Sequence, residues 1–192
     1  MTINRNTSLQ ALILLATALL LSQPSPAQGQ KQFANQGVAE LGGTFSFQSI
    51  TPVGNGVSGN NYTVISFSPT FGYFVADGVE IGVDPFGVNV VSGSGSSFSQ
   101  VNLFFNAAYN FKTENAGFPF IEGLIGYTEE SDGSKTHGAS WGFRGGIKAP
   151  IAGQALVNIA GQYMQVTLDP EDAVNRYGYN QFSVGAGLTI WL

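Results

Sequence analysis

Apolar residues alternate with polar or small residues in most of the chain from residue 37 onward, in segments of 11 to 15 residues. The pattern is clearest in residues 98–112, where Val101, Leu103 and Phe105 fall on one face of an extended strand and Gln100 and Asn102 on the other. A period of two residues is typical of a β-strand with two different faces. Because a strand needs about 9–11 residues to cross a membrane, these segments are long enough to do so.

Eight segments carry this alternation, and they are predicted at residues 37–50, 62–75, 79–91, 98–112, 118–128, 139–149, 154–168 and 178–192. Since eight is an even number, antiparallel strands can close into a barrel that leaves no unpaired edge. The sequence therefore predicts an all-β fold, a closed eight-stranded antiparallel up-and-down transmembrane β-barrel. Pro69 and Pro85 interrupt the second and third segments, and each predicts a β-bulge or a strand end because proline has no N–H to donate.

The composition favours a membrane protein over a soluble one. Charged residues make up 10% of the chain, whereas an ordinary soluble domain has about 25%. No apolar run long enough for a transmembrane helix follows residue 30. The alternative is a soluble barrel of the lipocalin type, which would bury its apolar face inside. Because the lumen of eight strands is too narrow for all these large apolar side chains, we expect them to face lipid.

The first 27 residues have the features of a secretory signal peptide. Arg5 lies in a short polar region, residues 9–21 are apolar, and Ser25 and Ala27 supply small residues at positions −3 and −1 of a cleavage site. A membrane anchor helix is the alternative, but the apolar run is too short for it. The predicted parts are a signal peptide (1–27), a short N-terminal segment (28–36) and an outer-membrane β-barrel domain (37–192), exported to the outer membrane of a Gram-negative bacterium.

The connections between the predicted strands alternate in length. They are short after the second, fourth and sixth strands and longer and more polar after the others, and outer-membrane barrels place their short turns in the periplasm. Aromatic residues near the strand ends would form girdles at the two membrane surfaces. The predicted girdle consists of Tyr73, Tyr109, Tyr127, Trp141 and Tyr163.

Charged residues fall on inward-facing positions near the predicted periplasmic end. They are Glu40, Glu80, Lys112, Glu122, Arg144 and Lys148. The fifth and sixth strands are neighbours, so Glu122 can meet Arg144 or Lys148 across the pair, and the other residues can reach across a narrow lumen. Three acids and three bases are nearly neutral together, which limits the cost of burying them. We expect an ionic cluster that closes the lumen; the alternative is that each residue faces a separate small water pocket.

Little in the sequence indicates catalysis. It has no Cys, which excludes a Cys nucleophile and a thiolate metal site. A Ser hydrolase needs a His base within hydrogen-bond reach, and lipid A deacylases have a His-x-Ser pair. The only His is His137, Ala139 occupies the Ser position, and Ser140 falls on the opposite strand face. We therefore expect no catalytic residue, no cofactor and no metal site, and we expect His137 in a solvated loop at 129–138.

Acidic residues in the predicted loops offer another candidate site. They are Glu129, Glu130, Asp132, Asp169, Glu171 and Asp172. These carboxylates could bridge divalent cations to lipopolysaccharide phosphates, but the sequence has no EF-hand spacing and we favour solvated charges on the loops. The net charge of −5 argues against a nucleic acid partner.

Three stretches resemble those of a known family. The sequence ELGG occupies residues 40–43, SPTFGYFVADGVEIGV occupies residues 68–83, and Gly187, Ile190 and Leu192 have the C-terminal spacing Gly-x-x-apolar-x-apolar. The predicted mature chain thus resembles the porin-like outer-membrane β-barrel superfamily, typified by OmpX and the transmembrane domain of OmpA, and its hairpin is similar to one of Bacteroidetes-type members. The resemblance implies that Gly187, Ile190 and Leu192 form the barrel-insertion signal. Two positions depart from the pattern, since Leu192 stands where Phe is usual and Gly185 where a polar residue is expected.

The resemblance implies partners rather than a particular activity. These are the barrel-insertion machinery and periplasmic chaperones in transit, and outer-membrane lipid and lipopolysaccharide around a monomeric barrel. We expect a structural or surface-interaction role with the lumen closed by a polar and ionic cluster. A narrow passive pore, porin-like, is the alternative, and a lipid A-modifying barrel enzyme is a distant third. The chain ends with the eighth predicted strand, so we expect no appended peptidoglycan-binding domain.

The mature protein is expected to begin at Gln28, because Ser25 and Ala27 provide the small residues that a signal peptidase requires. Mass spectrometry of protein isolated from outer membranes measures the N-terminus directly. An Ala27→Arg variant serves as the control and should retain the first 27 residues. Recovery of the wild-type protein with an intact Met1 would contradict the prediction.

Overall fold

The computed structural model describes residues 32–54, 57–58, 62–92, 99–113, 117–131, 135–170 and 177–192. The predicted signal peptide, its cleavage site and residues 28–31 of the predicted N-terminal segment lie outside these ranges. So do most residues of the loops predicted at 92–97 and 169–177. Within the described ranges, no helix is long and apolar enough to cross a membrane.

The described residues form long antiparallel strands that close into a barrel. The strands are β1 (Ala39–Gly54), β2 (Tyr62–Ala76), β3 (Val79–Ser92), β4 (Ser99–Asn110), β5 (Phe118–Ser131), β6 (Lys135–Ala152), β7 (Ala155–Pro170) and β8 (Tyr177–Trp191). Each strand pairs with the next along the chain, and β8 pairs with β1. A further two-residue strand, Val57–Ser58, pairs with the end of β1. The predicted closed eight-stranded antiparallel barrel is confirmed.

The register of the strand pairs sets the width and tilt of the barrel. Following the paired residues once round the barrel from Glu40 leads back to Ile50 of the same strand, ten residues further along. With eight strands, a stagger of this kind tilts the strands and leaves a lumen just wide enough for side chains to fill. The tilt lets side chains of strands that are not neighbours meet in the lumen.

Side chains alternate between the outer face and the lumen. On the outer face, Phe45, Phe105 and Ile125 are 64%, 62% and 68% exposed. On the lumen face, Ser66 and Thr189 are buried. A soluble lipocalin-type barrel would have the reverse arrangement. A continuous apolar outer surface is typical of a barrel that contacts lipid.

Proline residues interrupt the ladder where the sequence predicts. Between Asp84 and Gly87 the register of β3 against β4 shifts, because β3 carries one extra residue there. Pro85 lies within this bulge, and the pairing of β2 with β3 is interrupted around Pro69. The extra residue leaves Asp84 and Gly87 both lining the lumen.

The hairpin of β5 and β6 extends further than the sequence predicts. Strand β5 continues to Ser131 and β6 begins at Lys135, so most of the predicted charged loop 129–138 is strand. Glu129 and His137 pair across the hairpin, so His137 lies in a strand and the prediction of a loop there is wrong. Cross-strand pairing can hold polar residues in a strand, because β-propensity depends on the neighbours more than on the residue itself.

Unboiled protein in a detergent gel is expected to migrate differently from boiled protein, because each strand of the closed barrel hydrogen-bonds to two neighbours and resists the detergent. Band position before and after boiling is the measurement. An Ala107→Pro variant, which removes a ladder donor from the middle of β4, should lose the difference. Identical mobility of wild-type protein whose strand content has been verified would contradict the expectation.

Candidate functional site

A cluster of charged side chains occupies the lumen toward the barrel end with the turns at residues 77–78 and 153–154, which we call the short-turn end. Lys148 Nζ lies 2.6 Å from Glu40 Oε2 and 3.2 Å from Glu80 Oε2, and these side chains are 8% exposed or less. The two carboxylates come from β1 and β3 and the ammonium from β6. One cation therefore joins three strands across the lumen.

Arg144 holds the second half of the cluster. Its Nη1 lies 3.2 Å from Glu122 Oε2, its Nη2 donates to Asp84, and its Nε donates to Gln162 Oε1 at 2.8 Å. Glu122 and Arg144 are direct neighbours in the register of β5 and β6, which is the contact that the sequence suggests for Glu122. The guanidinium uses its forked geometry to bridge two carboxylates and an amide.

Lys112 does not join the cluster in which the sequence places it. Strand β4 ends at Asn110, so Lys112 lies beyond the strand, with its Nζ 3.1 Å from Asp77 Oδ2 and its side chain 41% exposed. Asn110 takes the last inward position of β4 and donates from Nδ2 to Glu80 Oε2 at 2.9 Å. A neutral amide therefore stands where the sequence suggests a base.

Asp84 is the member that the prediction left out. The structure brings together Glu40, Glu80, Asp84, Glu122, Arg144 and Lys148. Four acids face two bases, so the expected balance of three and three does not hold. Neutral donors support the excess of carboxylates, since Asn106 Nδ2 donates to Asp84 Oδ1 at 3.0 Å. The alternation places Asp84 on the inward face, but the adjacent Pro85 obscures the continuation of the strand beyond it.

Gly72 makes room for the carboxylate of Glu80. A Cβ atom at Gly72 would lie 1.9 Å from Glu80 Oε1. A larger residue would therefore displace the carboxylate from Lys148. This close approach explains why a glycine occupies an inward position of β2 next to the cluster.

Small cavities remain beside the cluster. One of about 50 Å³ is lined by Asp84 and Asn102, and one of about 30 Å³ is lined by Glu40 and Lys148. Arg144 borders both cavities. Volumes of this size have room for only a few water molecules each.

Large apolar side chains also fill the lumen. The alternation in the sequence predicts small and polar side chains there instead. One buried group consists of Phe104, Leu124 and Met164; another, toward the end opposite the short turns, consists of Val64, Val166, Leu168 and Tyr179. An inward apolar residue that directly follows an outward apolar residue, as Phe104 follows Leu103, cannot be assigned to the lumen from the alternation alone. The lumen is therefore not lined by small and polar residues alone.

Residues 32–38 close the short-turn end. Phe33, Ala34 and Val38 are buried in a cluster with Phe74, Leu156 and Trp191. The sequence predicts only a short N-terminal segment at residues 28–36. The only signal for this packing is the apolar character of Phe33 and Val38 within a polar stretch.

The other predicted site residues are those of the aromatic girdle, on the outer face, and those of the insertion signal, in and just after β8. The predicted girdle residues are 42–45% exposed, and they are Tyr73, Tyr109, Tyr127, Trp141 and Tyr163. Trp141 lies well inside β6, which begins four residues earlier than predicted, and Tyr163 lies near the middle of β7 rather than at its end. Of the predicted insertion signal, Gly187 is buried, Ile190 pairs with residues of β1 and β7, and Leu192 is 68% exposed just after β8.

His137 and Ser140 lie on opposite faces of the barrel wall, as the strand period predicts. The ring of His137 stacks on that of Tyr127 with centroids 5.6 Å apart on the outer face. Ser140 is 1% exposed and its Oγ lies 2.6 Å from Thr128 Oγ1 in the lumen. These two residues therefore form no nucleophile–base pair.

Solved structures of outer-membrane barrels share this architecture. Neisserial surface protein A has a TM-score of 0.63 at 12% identity, and the match covers 81% of this chain and 99% of that protein. OprG of Pseudomonas aeruginosa has a TM-score of 0.50 at 17% identity, with 82% and 97% covered. The N-terminal β-barrel domain of OprF from the same organism has a TM-score of 0.50 at 12% identity, with 82% and 98% covered.

The chain has the fold of the small eight-stranded outer-membrane barrels. At these identities the similarity shows the fold alone. No protein-family model matches the chain, and no curated protein matches it.

Replacing Lys148 with Met is expected to lower the free energy of unfolding by about 3–5 kcal/mol, because it leaves buried carboxylates without their cation. The matched control is Lys112→Met, whose exposed ion pair should contribute about 1 kcal/mol or less. Urea unfolding of the refolded protein in lipid vesicles, followed by tryptophan fluorescence, measures both values. Equal losses for the two variants would contradict a buried, strand-joining role for Lys148.

Proposed function

We propose that this chain is a non-enzymatic, monomeric outer-membrane barrel with a structural or surface-interaction role and a closed lumen. The filling of the lumen carries the proposal. Within the lumen, the salt-bridged cluster and the apolar groups leave cavities of about 50 Å³ and 30 Å³. A lumen filled in this way offers no open path to a solute. It is therefore suited to a barrel that stabilises the membrane or that exposes its loops to surface partners.

The short turns support an orientation with the short-turn end in the periplasm. In that orientation the longer connections and the polar ends of β5 and β6 face the outside of the cell. The outer face would contact lipid and lipopolysaccharide, and the signal peptide and the C-terminal Gly187, Ile190 and Leu192 would direct export and insertion. Surface partners would then bind at the end opposite the short turns.

The buried groups form layers in series along the lumen, which supports a closed barrel over a steadily open pore. Residues 32–38 pack at the short-turn end, the ionic cluster lies next, and the groups around Phe104 and Leu168 lie beyond it. A solute would have to displace each layer. Breaking a single salt bridge therefore does not open a path.

A narrow passive pore is the second candidate. The charged and amide side chains around Arg144, and the cavities that this residue borders, favour it. A lipid A-modifying enzyme is a distant third candidate, because His137 and Ser140 lie on opposite faces of the wall. Conductance separates the first two candidates most directly.

The wild-type barrel, refolded and inserted into planar bilayers, is expected to show no steady conductance. Variants Phe33→Ala, Arg144→Ala, Phe104→Ala and Leu168→Ala each disrupt one layer and should remain closed, whereas the quadruple variant should conduct. Heat-dependent gel mobility confirms that each variant is folded. Since the layers act in series, only their combined removal opens a path.

Other outcomes would overturn parts of this proposal. A steady open channel in the wild-type protein would contradict the closed lumen and favour the pore. A channel opened by Arg144→Ala alone would make the ionic cluster the sole barrier. A folded quadruple variant that stays closed would contradict closure by these layers.

A further inference from the structure

Phe33 places an aromatic ring inside the short-turn end of the barrel, in the same buried cluster as Ala34 and Val38. Phe33 is 2% exposed, and its ring centroid lies 5.2 Å from that of Phe74, 4.8 Å from that of Phe118 and 5.6 Å from that of Trp191. These partners belong to β2, β5 and β8. A single side chain therefore contacts three separate parts of the barrel wall, and its burial there is favourable.

Hydrogen bonds hold the rest of the segment to the first short turn. Gln36 N donates to Asp77 Oδ1 at 2.8 Å, and Gly78 N donates to Ala34 O at 2.8 Å. The Gln36 N–H, with a contribution from Lys112, lowers the pKa of the Asp77 carboxyl below its usual range. Ala34 has a φ of 64°, a conformation that alanine rarely adopts and that the surrounding contacts must hold in place.

The same ring touches the ionic cluster. Lys148 Nζ lies 5.3 Å from the centroid of the Phe33 ring and 5.2 Å from that of Phe120, within the range of a cation–π contact. The ammonium thus has carboxylates of Glu40 and Glu80 on one part of its surface and aromatic rings on another. Phe33 belongs at once to the segment and to the surroundings of the buried cation.

The segment is attached to the barrel but takes little part in its strand ladder. Gly37 N donates to Phe74 O at 2.8 Å and Phe74 N donates to Val38 O at 2.9 Å, so Gly37 and Val38 extend the pairing with β2. The paired strands themselves begin at Ala39 and Glu40, so the barrel closes without residues 32–36. Local opening of a terminal segment requires less free energy than global unfolding. The segment can therefore leave its site while the barrel stays closed.

We propose that residues 32–38 act as a displaceable stopper at the periplasmic mouth, and that Phe33 keeps water away from the cluster around Lys148. This inference rests on the proposed function, because it takes from it the orientation and the closed lumen. It extends that function by assigning access to the lumen from the periplasm to the N-terminal segment. The barrel wall then stays fixed while the stopper opens and closes.

A single engineered cysteine tests the stopper cleanly, because the chain has no Cys of its own. Ala160 borders both lumen cavities, so Ala160→Cys places a thiol beside the cluster. The probe is a small water-soluble methanethiosulfonate, applied to the refolded barrel in micelles, and the readout is the labelling rate. Loss of the buried ring should raise the rate by about tenfold or more when Phe33→Ala is added.

The matched control is Phe45→Ala in the same Ala160→Cys background. Phe45 is 64% exposed on the outer face, so its loss should leave the labelling rate unchanged. Phe33→Trp restores an aromatic ring and should return the rate toward that of the parent. If Phe33→Ala fails to fold, Phe33→Leu replaces it, since leucine keeps apolar bulk but has no ring to place against Lys148.

Each outcome decides the proposal. Faster labelling of a Phe33 variant that keeps its heat-dependent mobility supports the stopper. Unchanged labelling in a folded Phe33 variant, or equal acceleration by Phe45→Ala, overturns it. If the wild-type barrel is closed in the bilayer but the Phe33 variants leave the labelling rate unchanged, the stopper alone is overturned. A steadily open wild-type channel overturns the proposed function.

Discussion

Closure of the strand ladder is the constraint on which the rest of this structure depends. When β8 pairs with β1, the strands satisfy one another's backbone groups and no edge remains. The side chains of each strand must then divide between an unlimited outer surface and a lumen of fixed width. Most large apolar side chains lie on the outer face, where Phe45 and Ile125 are among the most exposed. The lumen holds only the side chains that fit within its width.

The narrow lumen forces charged groups from different strands into contact. The stagger of ten residues from Glu40 to Ile50 tilts the strands, so that carboxylates of β1 and β3 reach the ammonium of β6. Two bases do not balance four acids, and the amides of Asn110 and Asn106 donate further hydrogen bonds to the carboxylates of Glu80 and Asp84. A buried charge without such partners would be strongly unfavourable. The cluster is therefore one network, in which the neutral residues matter as much as the ions.

The sequence predicts the barrel well because period-two alternation reports directly on two unlike environments. It also predicts the contact of Glu122 with Arg144, because register neighbours follow from adjacent strands. It misplaces Lys112, because a strand end cannot be read to within two residues and the loss of one inward position moves the side chain out of the lumen. It misses Phe33 and the inward Phe104, because both pack through tertiary contacts that leave no periodic signal in the sequence.

The rings of Phe33 and Phe120 lie next to the ammonium of Lys148. Lys148 lies where the chain end, the first short turn and the lumen meet, since Phe33 contacts it from the N-terminal segment and Glu40 from the start of β1. The five residues from Ala34 to Val38 anchor to the turn at Asp77 and lead into the first strand. Ring and carboxylate therefore reach the same ammonium from positions seven residues apart in one continuous segment. Movement of the stopper would remove the ring but leave the salt bridge to Glu40 in the ladder, so the cluster can become hydrated without the barrel coming apart.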